Sequence, residues 1–309
     1  MLPYAIVLRL HTFIWPERYF YVYEGNNYLY KWIYTLVSTP ISQSIVAVLL
    51  IYMHAIVLNQ ISIKHRLGRT YTLFPGVIYI LLVSMHSEVI YLSPGLIATT
   101  ALLFMITQMF MTYKNHNATI YIFNAGFFGA LAFLLSPQLL FFYLFGYVGL
   151  MILRSFKRTE IFQYSVGYLA PIFLSISLLY YFQVDLSNVA GQFFSEIGWI
   201  SMSVPAGIKT YIFISVILLL FIVSFFSYNR YTLRKSIQEQ KKIDLIFWLG
   251  LFALVVTLFC NVISFTGVII LIAAIALLFS MNISWITNKL YSELIHLILL
   301  AILIYNFYI

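Results

Sequence analysis

Residues 124–154 read NAGFFGALAFLLSPQLLFFYLFGYVGLMILR. The stretch has no charged residue before Arg154, and its one turn signal is the Ser136-Pro137 pair. A membrane-spanning helix needs about 20 apolar residues, and a proline interrupts a helix because it lacks the amide hydrogen. The period-2 alternation of a membrane β-barrel is absent. The stretch therefore predicts two neighbouring membrane helices that meet at Ser136-Pro137.

The composition of the whole chain supports the same class of protein. Of the 309 residues, 63% are hydrophobic and 8% are charged, against about 45–50% and about 25% in a soluble domain. These values exclude a soluble globular fold and indicate an integral membrane protein. The single Cys260 excludes an internal disulfide. Because no other Cys or His stands at ligand spacing from it, we expect no metal site and no cofactor.

Apolar runs bounded by charged or turn residues recur along the chain. Each has the length and polarity of a helix that crosses or enters a bilayer. They lie at about 41–59, 71–85, 93–112, 118–134, 138–153, 163–183, 208–228, 244–259, 264–281 and 291–309. Residues 1–15 form a marginal further span. The predicted fold is all-α, a polytopic transmembrane helical bundle of about 10–11 spans.

Basic residues collect in alternate connections between these runs. The connections that share this feature contain Lys64, Arg66, Arg69, Lys114, Arg154, Lys157, Arg158, Arg230, Arg234, Lys235, Lys241, Lys242 and Lys289. Connections rich in Lys and Arg stay on the cytoplasmic side, so we assign them there and expect a bacterial inner (plasma) membrane protein. The net charge of +8 follows from this placement. No basic face interleaved with aromatic residues is present, which excludes nucleic acid as a partner.

The same alternation places residues 16–40 on the outer side. The stretch 15–34, WPERYFYVYEGNNYLYKWIY, is rich in Tyr and Trp, as is typical of a membrane–water interface. We predict a helix, or a pair of short helices, that lies on the outer surface at about 16–40. Residues 1–15 are expected to cross from the cytoplasm despite Arg9.

The order of these features along the first 185 residues carries a family resemblance. A span leads to an outer segment with a carboxylate and an aromatic belt, and a later span begins at a second outer carboxylate in SEVIYLSPGLIATTALLF (87–104). The stretch 124–154 and YSVGYLAPIF (164–173) follow. This order resembles the membrane module of GT-C glycosyltransferases, polytopic enzymes that take a sugar from a polyprenyl-phosphate donor at the outer face. The helix Gly126 to Pro137, with the pattern G-x-x-x-x-L-x-x-L-x-x-P, is also similar to one in uncharacterised polytopic bacterial proteins.

The resemblance implies a division of the chain and a set of catalytic residues. Residues 1–185 form the GT-C-like module, and 186–309 add transmembrane helices to the same membrane domain. The family's catalytic base is a carboxylate in the first outer loop, which matches Glu17 and, less closely, Glu24. A base is needed because the acceptor hydroxyl loses its proton as it attacks the anomeric carbon. A second outer carboxylate of the family matches Glu88.

The departing phosphate needs cationic donors at the outer face. The basic residues of that side are Arg18, Lys31 and Lys209, and His86 lies beside Glu88 in the sequence. The chain differs from the family at Arg18, which stands where the family has a second acid. We therefore expect Arg18, Lys31, His86 and Lys209 to bind phosphate or lipid.

Three functions remain open at this level. The first is a GT-C-like glycosyltransferase that handles a polyprenyl-phosphate-linked sugar. The second is a non-catalytic membrane subunit of an envelope assembly or secretion complex on the same scaffold. The third is a secondary transporter with a path along Gln108, Asn124 and Asn261, although related halves are not visible. The expected partners are membrane lipid, a polyprenyl-phosphate sugar and a membrane protein.

The segment 228–244 is the strongest basic signal outside the N-terminal region. Its lysines and arginines suit a helix on the inner surface, where each basic residue gains about 1 kcal/mol near anionic lipid. We interpret it as an anchor of the topology. Glu239 and Asp244 are expected to balance neighbouring lysines.

Overall fold

A computed structural model describes residues 1–16, 28–154, 157–195, 197, 207–233, 235–258, 265–286 and 289–308. The helices are, in chain order, α1 (Leu2–Leu8), α2 (Leu10–Ile14), α3 (Tyr28–Leu36), α4 (Pro40–Lys64), α5 (Phe74–Val83), α6 (Ser87–Ile90), α7 (Pro94–Thr112), α8 (Thr119–Leu135), α9 (Phe142–Leu153), α10 (Arg158–Tyr181), α11 (Leu186–Phe194), α12 (Ile208–Phe226), α13 (Tyr228–Thr232), α14 (Ile237–Leu258), α15 (Phe265–Trp285) and α16 (Lys289–Tyr308). A 3-10 turn, Pro137–Phe141, joins α8 to α9. The prediction of an all-α polytopic bundle is confirmed.

Each apolar run of the sequence corresponds to a helix, but the number of full-length spans is smaller than expected. In the described ranges, 6 helices are long and apolar enough to cross a membrane: Pro40–Lys64, Pro94–Thr112, Arg158–Tyr181, Ile208–Phe226, Phe265–Trp285 and Leu290–Phe307. The helices α5, α8 and α9 are shorter, and α14 begins with a charged segment. The chain is a multi-pass membrane protein.

The N-terminal region is built from short helices. The helix over residues 1–15 breaks at Arg9 into α1 and α2, which have 7 and 5 residues and together fall short of the about 20 that a span needs. The pair packs along the bundle from Met1, beside Asn59 near the end of α4 (Sδ to Nδ2 3.1 Å), to Arg9, which bonds to Ser84 and Ile90 near the other end. The crossing of residues 1–15 stays a prediction. Of the predicted surface helices at 16–40, the described part contains α3; residues 17–27 lie outside it.

Small residues set the packing between α8, within the stretch 124–154, and α10. A Cβ added at Gly126 on α8 would lie 2.3 Å from the carbonyl oxygen of Tyr164 on α10. A Cβ at Gly167 would lie 2.2 Å from the carbonyl oxygen of Phe123. Both distances are far below a van der Waals contact, so only glycine allows the two backbones to approach this closely.

Connections that the sequence assigns to the cytoplasm meet at one end of the bundle, which we call the basic end. Lys235 Nζ donates hydrogen bonds to the carbonyl oxygens of Arg66 (2.6 Å) and Gly68 (3.1 Å). The amide of Arg69 donates to Ser284 Oγ (3.2 Å). These contacts bring the turns after α4, α13 and α15 together, as the charge alternation predicts.

The connections that alternate with these basic ones meet at the other end of the bundle. Asn306 Nδ2, near the end of α16, donates to the carbonyl oxygen of Met85 at 3.0 Å. His86 Nε2 lies 3.1 Å from Thr210 Oγ1 at the start of α12. We call this the opposite end.

The segment 228–244 is divided between two helices, and its role as an anchor of the topology stays a prediction. The five-residue α13 ends at Thr232, and α14 continues without interruption from Ile237 into the bundle. Glu239 does lie near a lysine, with Oε2 3.9 Å from Lys235 Nζ. Asp244, in contrast, accepts a hydrogen bond from the Tyr228 hydroxyl at 2.6 Å rather than pairing with a lysine.

Candidate functional site

The candidate residues from the sequence are only partly placed by the structure. Glu17, Arg18 and Glu24 lie outside the described residues. The backbone of Glu88 belongs to α6, and its side chain lies outside the description. Lys31 is exposed on α3 and does not line the cavity described next.

His86 and Lys209, far apart in the sequence, meet in one cavity at the opposite end. The cavity has a volume of about 240 Å³ and is lined by Met85, His86, Ser87, Tyr91, Lys209, Asn306 and Phe307. We call it the polar cavity. The turn after α5, the first turn of α12 and the last turn of α16 build it. The exposed Lys209 ammonium group provides its positive charge.

His86 offers the polar cavity a neutral group rather than a cation. Its ring stacks between Phe213 and Phe265, with centroid distances of 5.0 and 5.1 Å. Burial lowers the pKa of His86 from 6.5 to about 4, because a charged imidazolium loses its hydration there. At neutral pH the ring is uncharged, so Lys209 is the cation of this pair.

A buried guanidinium lies behind the turn that forms the polar cavity. Arg9 is 1% exposed, and it donates from Nε to Ser84 Oγ (3.2 Å) and from Nη1 to the carbonyl oxygen of Ile90 (3.0 Å). Its Nη2 has no hydrogen-bond partner among the described residues. A buried charge at membrane depth is costly and marks a functional candidate. In the sequence, the one signal of this site is that Arg9 interrupts the first apolar run; the sequence alone assigns it no role.

An apolar groove lies at the same end, beside α11. It has a volume of about 300 Å³, and its walls include Leu29, Phe133, Ile172, Leu186 and Phe193 from α3, α8, α10 and α11. We call it the apolar groove. Its size and lining suit a hydrocarbon chain.

Asp185 fixes the start of α11 and so shapes the apolar groove. Its Oδ1 accepts hydrogen bonds from the Ser187 amide (3.0 Å) and hydroxyl (2.7 Å), and its Oδ2 accepts one from Asn188 Nδ2 (2.9 Å). These donors lower the pKa of the Asp185 carboxyl, as expected for an N-cap. Asp185 is therefore engaged in structure, and Glu17, Glu24 and Glu88 remain the candidate bases.

The helix α3 lines the apolar groove and contacts the segment next to the polar cavity. Leu29 lines the groove, and the neighbouring Tyr30 donates its hydroxyl hydrogen to the carbonyl oxygen of Leu92. Leu92 directly follows Tyr91 of the polar cavity. Residues 17–27, with Glu17 and Glu24, immediately precede α3 in the sequence.

No group of three or more His, Cys, Asp or Glu side chains suited to a metal ion occurs within the described ranges. Comparisons of the chain with protein-family models, with curated proteins and with solved structures find no match. The similarity to GT-C glycosyltransferases therefore stays a prediction that the site geometry alone can support.

Proposed function

We propose that the chain is a GT-C-like glycosyltransferase of the bacterial inner membrane, which binds a polyprenyl-phosphate-linked sugar at the opposite end of the bundle. The observation that carries this proposal is that one end of the bundle holds both an apolar groove, lined in part by Leu29 of α3, and a polar cavity, whose Tyr91 adjoins the Leu92 carbonyl that Tyr30 of α3 contacts. A polyprenyl phosphate has an apolar chain and an anionic head, and it needs one environment of each kind within reach of one molecule.

We assign the phosphate to the polar cavity because one charged donor, Lys209, lines it. Lys209 presents an exposed ammonium group to it. Arg9 does not line the cavity, but it bonds to Ser84 and Ile90 on either side of the turn that does, and its buried Nη2 has no partner among the described residues. Hydrogen bonds from charged donors to phosphate are stronger than those from neutral donors.

The chemistry follows from the carboxylates that precede α3. Glu17 or Glu24 accepts the proton of the acceptor hydroxyl while its oxygen attacks the anomeric carbon. The bond between the anomeric carbon and the phosphate oxygen breaks, and Lys209 stabilises the negative charge on the departing polyprenyl phosphate. Glu88 provides the second carboxylate that the resemblance implies.

Binding and transfer are measured separately to test this proposal. Purified protein in lipid nanodiscs is titrated with undecaprenyl phosphate, and we expect Lys209→Gln to weaken binding about tenfold, as for the loss of one charged hydrogen bond. Lys157→Gln, an equal change of charge at the basic end, is the control and should bind as the native protein does. Transfer is followed as release of polyprenyl phosphate from a polyprenyl-phosphate-linked hexose.

We expect Glu17→Gln or Glu24→Gln to bind undecaprenyl phosphate normally and to lose transfer. Normal transfer by the double variant would contradict the assignment of the base. Binding without transfer in the native protein would favour the alternative of a non-catalytic subunit. Equal affinities for Lys209→Gln and Lys157→Gln would overturn the placement of the phosphate.

A further inference from the structure

The basic end contains a second, larger cavity that the proposed function does not use. It has a volume of about 740 Å³, within the range of about 300–1,000 Å³ typical of small-molecule sites. It forms where α4 and α7 end and α14 begins. We call it the basic cavity.

Positive charge dominates the lining of the basic cavity. Four cationic side chains face one carboxylate, and the charged members are Lys64, Arg66, Lys114, Lys242 and Glu239. The Glu239 carboxylate is already shared with Lys235 outside the lining, at 3.9 Å. The surplus of positive charge attracts anions and retains them where water access is limited.

Lys242 has no carboxylate partner among the described contacts. It is 3% exposed, and its Nζ donates to His65 Nδ1 at 2.8 Å and lies 5.8 Å from the centroid of the Phe110 ring. It stands before Leu245, where the apolar part of α14 begins. Burial, followed by the positive charge of Lys64, lowers the pKa of Lys242 to about 8. An ammonium group in this position is stabilised by an anion.

His65 supports Lys242 as a neutral acceptor. Burial and the charges of Lys242 and Lys64 lower the pKa of His65 to about 4. At neutral pH the imidazole is uncharged, so it accepts the lysine hydrogen without competing for an anion.

In two turns that line the basic cavity, a cationic residue has a backbone conformation that favours glycine. Arg66 and Lys114 both have φ of 51°, in the left-handed region that costs a residue with a Cβ about 1–2 kcal/mol. Gln183, with φ of 53°, shares this conformation but lies after α10 at the opposite end. Replacing Arg66 or Lys114 with glycine therefore removes a charged side chain and also relieves the backbone strain at that position.

We propose that the basic cavity binds a phosphate group that carries two or more negative charges. Such a group matches several cations around one space, because each phosphate oxygen accepts hydrogen bonds from a different donor. It can belong to an anionic lipid of that leaflet, since Lys242 lies one turn before the apolar part of α14, or to a soluble phosphate compound. The site is separate from the polar cavity and does not depend on glycosyl transfer.

The experiment uses the double variant Arg66→Gly/Lys114→Gly and the control Gln183→Gly, which changes the backbone alike and leaves the basic cavity intact. The soluble arm measures binding of inorganic pyrophosphate to the full chain in phosphatidylcholine nanodiscs by calorimetry. The lipid arm measures the thermal unfolding midpoint in nanodiscs with and without phosphatidic acid. We expect glycine at these positions to preserve the fold and the double variant to bind about a hundredfold more weakly, about tenfold for each cation lost.

Pyrophosphate binding that the double variant loses and Gln183→Gly keeps supports a soluble ligand. Stabilisation by phosphatidic acid with the same pattern, without pyrophosphate binding, supports a lipid headgroup. The proposal is overturned if neither compound acts on the native protein, or if the double variant and Gln183→Gly respond alike. A second variant, Lys242→Met, fills the buried position with an apolar chain and should lose the same binding.

Discussion

At the basic end Arg154 is held by a full set of partners, whereas at the opposite end Arg9 is buried without a described carboxylate. Arg154 donates from Nε and Nη2 to the two carboxylate oxygens of Glu160, both at 2.9 Å. Its Nη1 donates to the carbonyl oxygens of Thr112 and of Asn115, the latter at 2.9 Å. Paired in this way, Arg154 ties the turn after α7 to the start of α10. A cation kept in the bundle without such pairing indicates a role in binding rather than in stability.

The largest effect is expected from breaking the paired cation. Arg154→Met leaves the buried Glu160 carboxylate without its partner, and a broken buried pair costs about 3–5 kcal/mol. We expect the free energy of unfolding, measured by detergent titration, to fall by about 3 kcal/mol because the pair is slightly exposed. The double variant Arg154→Met/Glu160→Gln should recover part of the loss, since the remaining side chain is neutral. A loss no greater than that of Lys157→Met would show that Arg154 is not a structural tie.

The sequence predicted the helices and their two ends because both depend on properties that a single sequence displays. The length of an apolar run determines whether it crosses a bilayer, and the position of charges determines to which side a connection goes. The run 93–112, for example, corresponds to α7, and the turn with Arg66 and Arg69 does meet the turns with Lys235 and Ser284. These outcomes required no knowledge of which helix packs on which.

The cavities could not be predicted from the sequence because they depend on packing between distant elements. His86 meets Thr210 and Lys209 only because α12 and α16 lie beside the turn after α5. Lys242 is buried against His65 although its neighbours in the sequence are charged. When the partner helix is not known, a basic segment is interpreted as a solvated face.

The second effect is an acid sensitivity that differs between the two ends. Burial alone lowers the pKa of His86 to about 4, whereas burial and the charges of Lys242 and Lys64 lower that of His65 to about 4. In both cases the unfolded chain binds a proton near pH 6.5 and the folded chain does not. Both therefore make the folded state less stable as pH falls from about 6.5 to about 4, and contribute nothing above that window.

Salt distinguishes the two histidines. The thermal unfolding midpoint of the native protein should fall between pH 7 and pH 4. In His86→Gln this fall should be smaller, and the difference should not depend on ionic strength. His65→Gln should reduce the same fall by an amount that becomes smaller in high salt, because salt screens the exposed Lys64, whereas it screens the buried Lys242 little. An equal response to salt at the two positions would show that Lys64 does not act on His65.

The smallest effect on stability is expected at Arg9. Arg9→Met removes the hydrogen bonds to Ser84 and Ile90 but also removes the cost of a buried charge, and the two nearly cancel for an apolar replacement of similar length. We expect the free energy of unfolding to change by about 1 kcal/mol or less, against about 3 kcal/mol for Arg154→Met. The same detergent titration measures both variants.

Binding of undecaprenyl phosphate is measured on the same Arg9→Met variant, because the change in stability alone does not show what Arg9 binds. If Arg9 is retained for the anionic head of the lipid-linked sugar, Arg9→Met should bind undecaprenyl phosphate more weakly than the native protein while it unfolds at nearly the same point. A loss of stability as large as that of Arg154→Met would show that Arg9, too, is a structural tie. In that case both ends would hold their buried arginines by the same means, and the contrast between them would disappear.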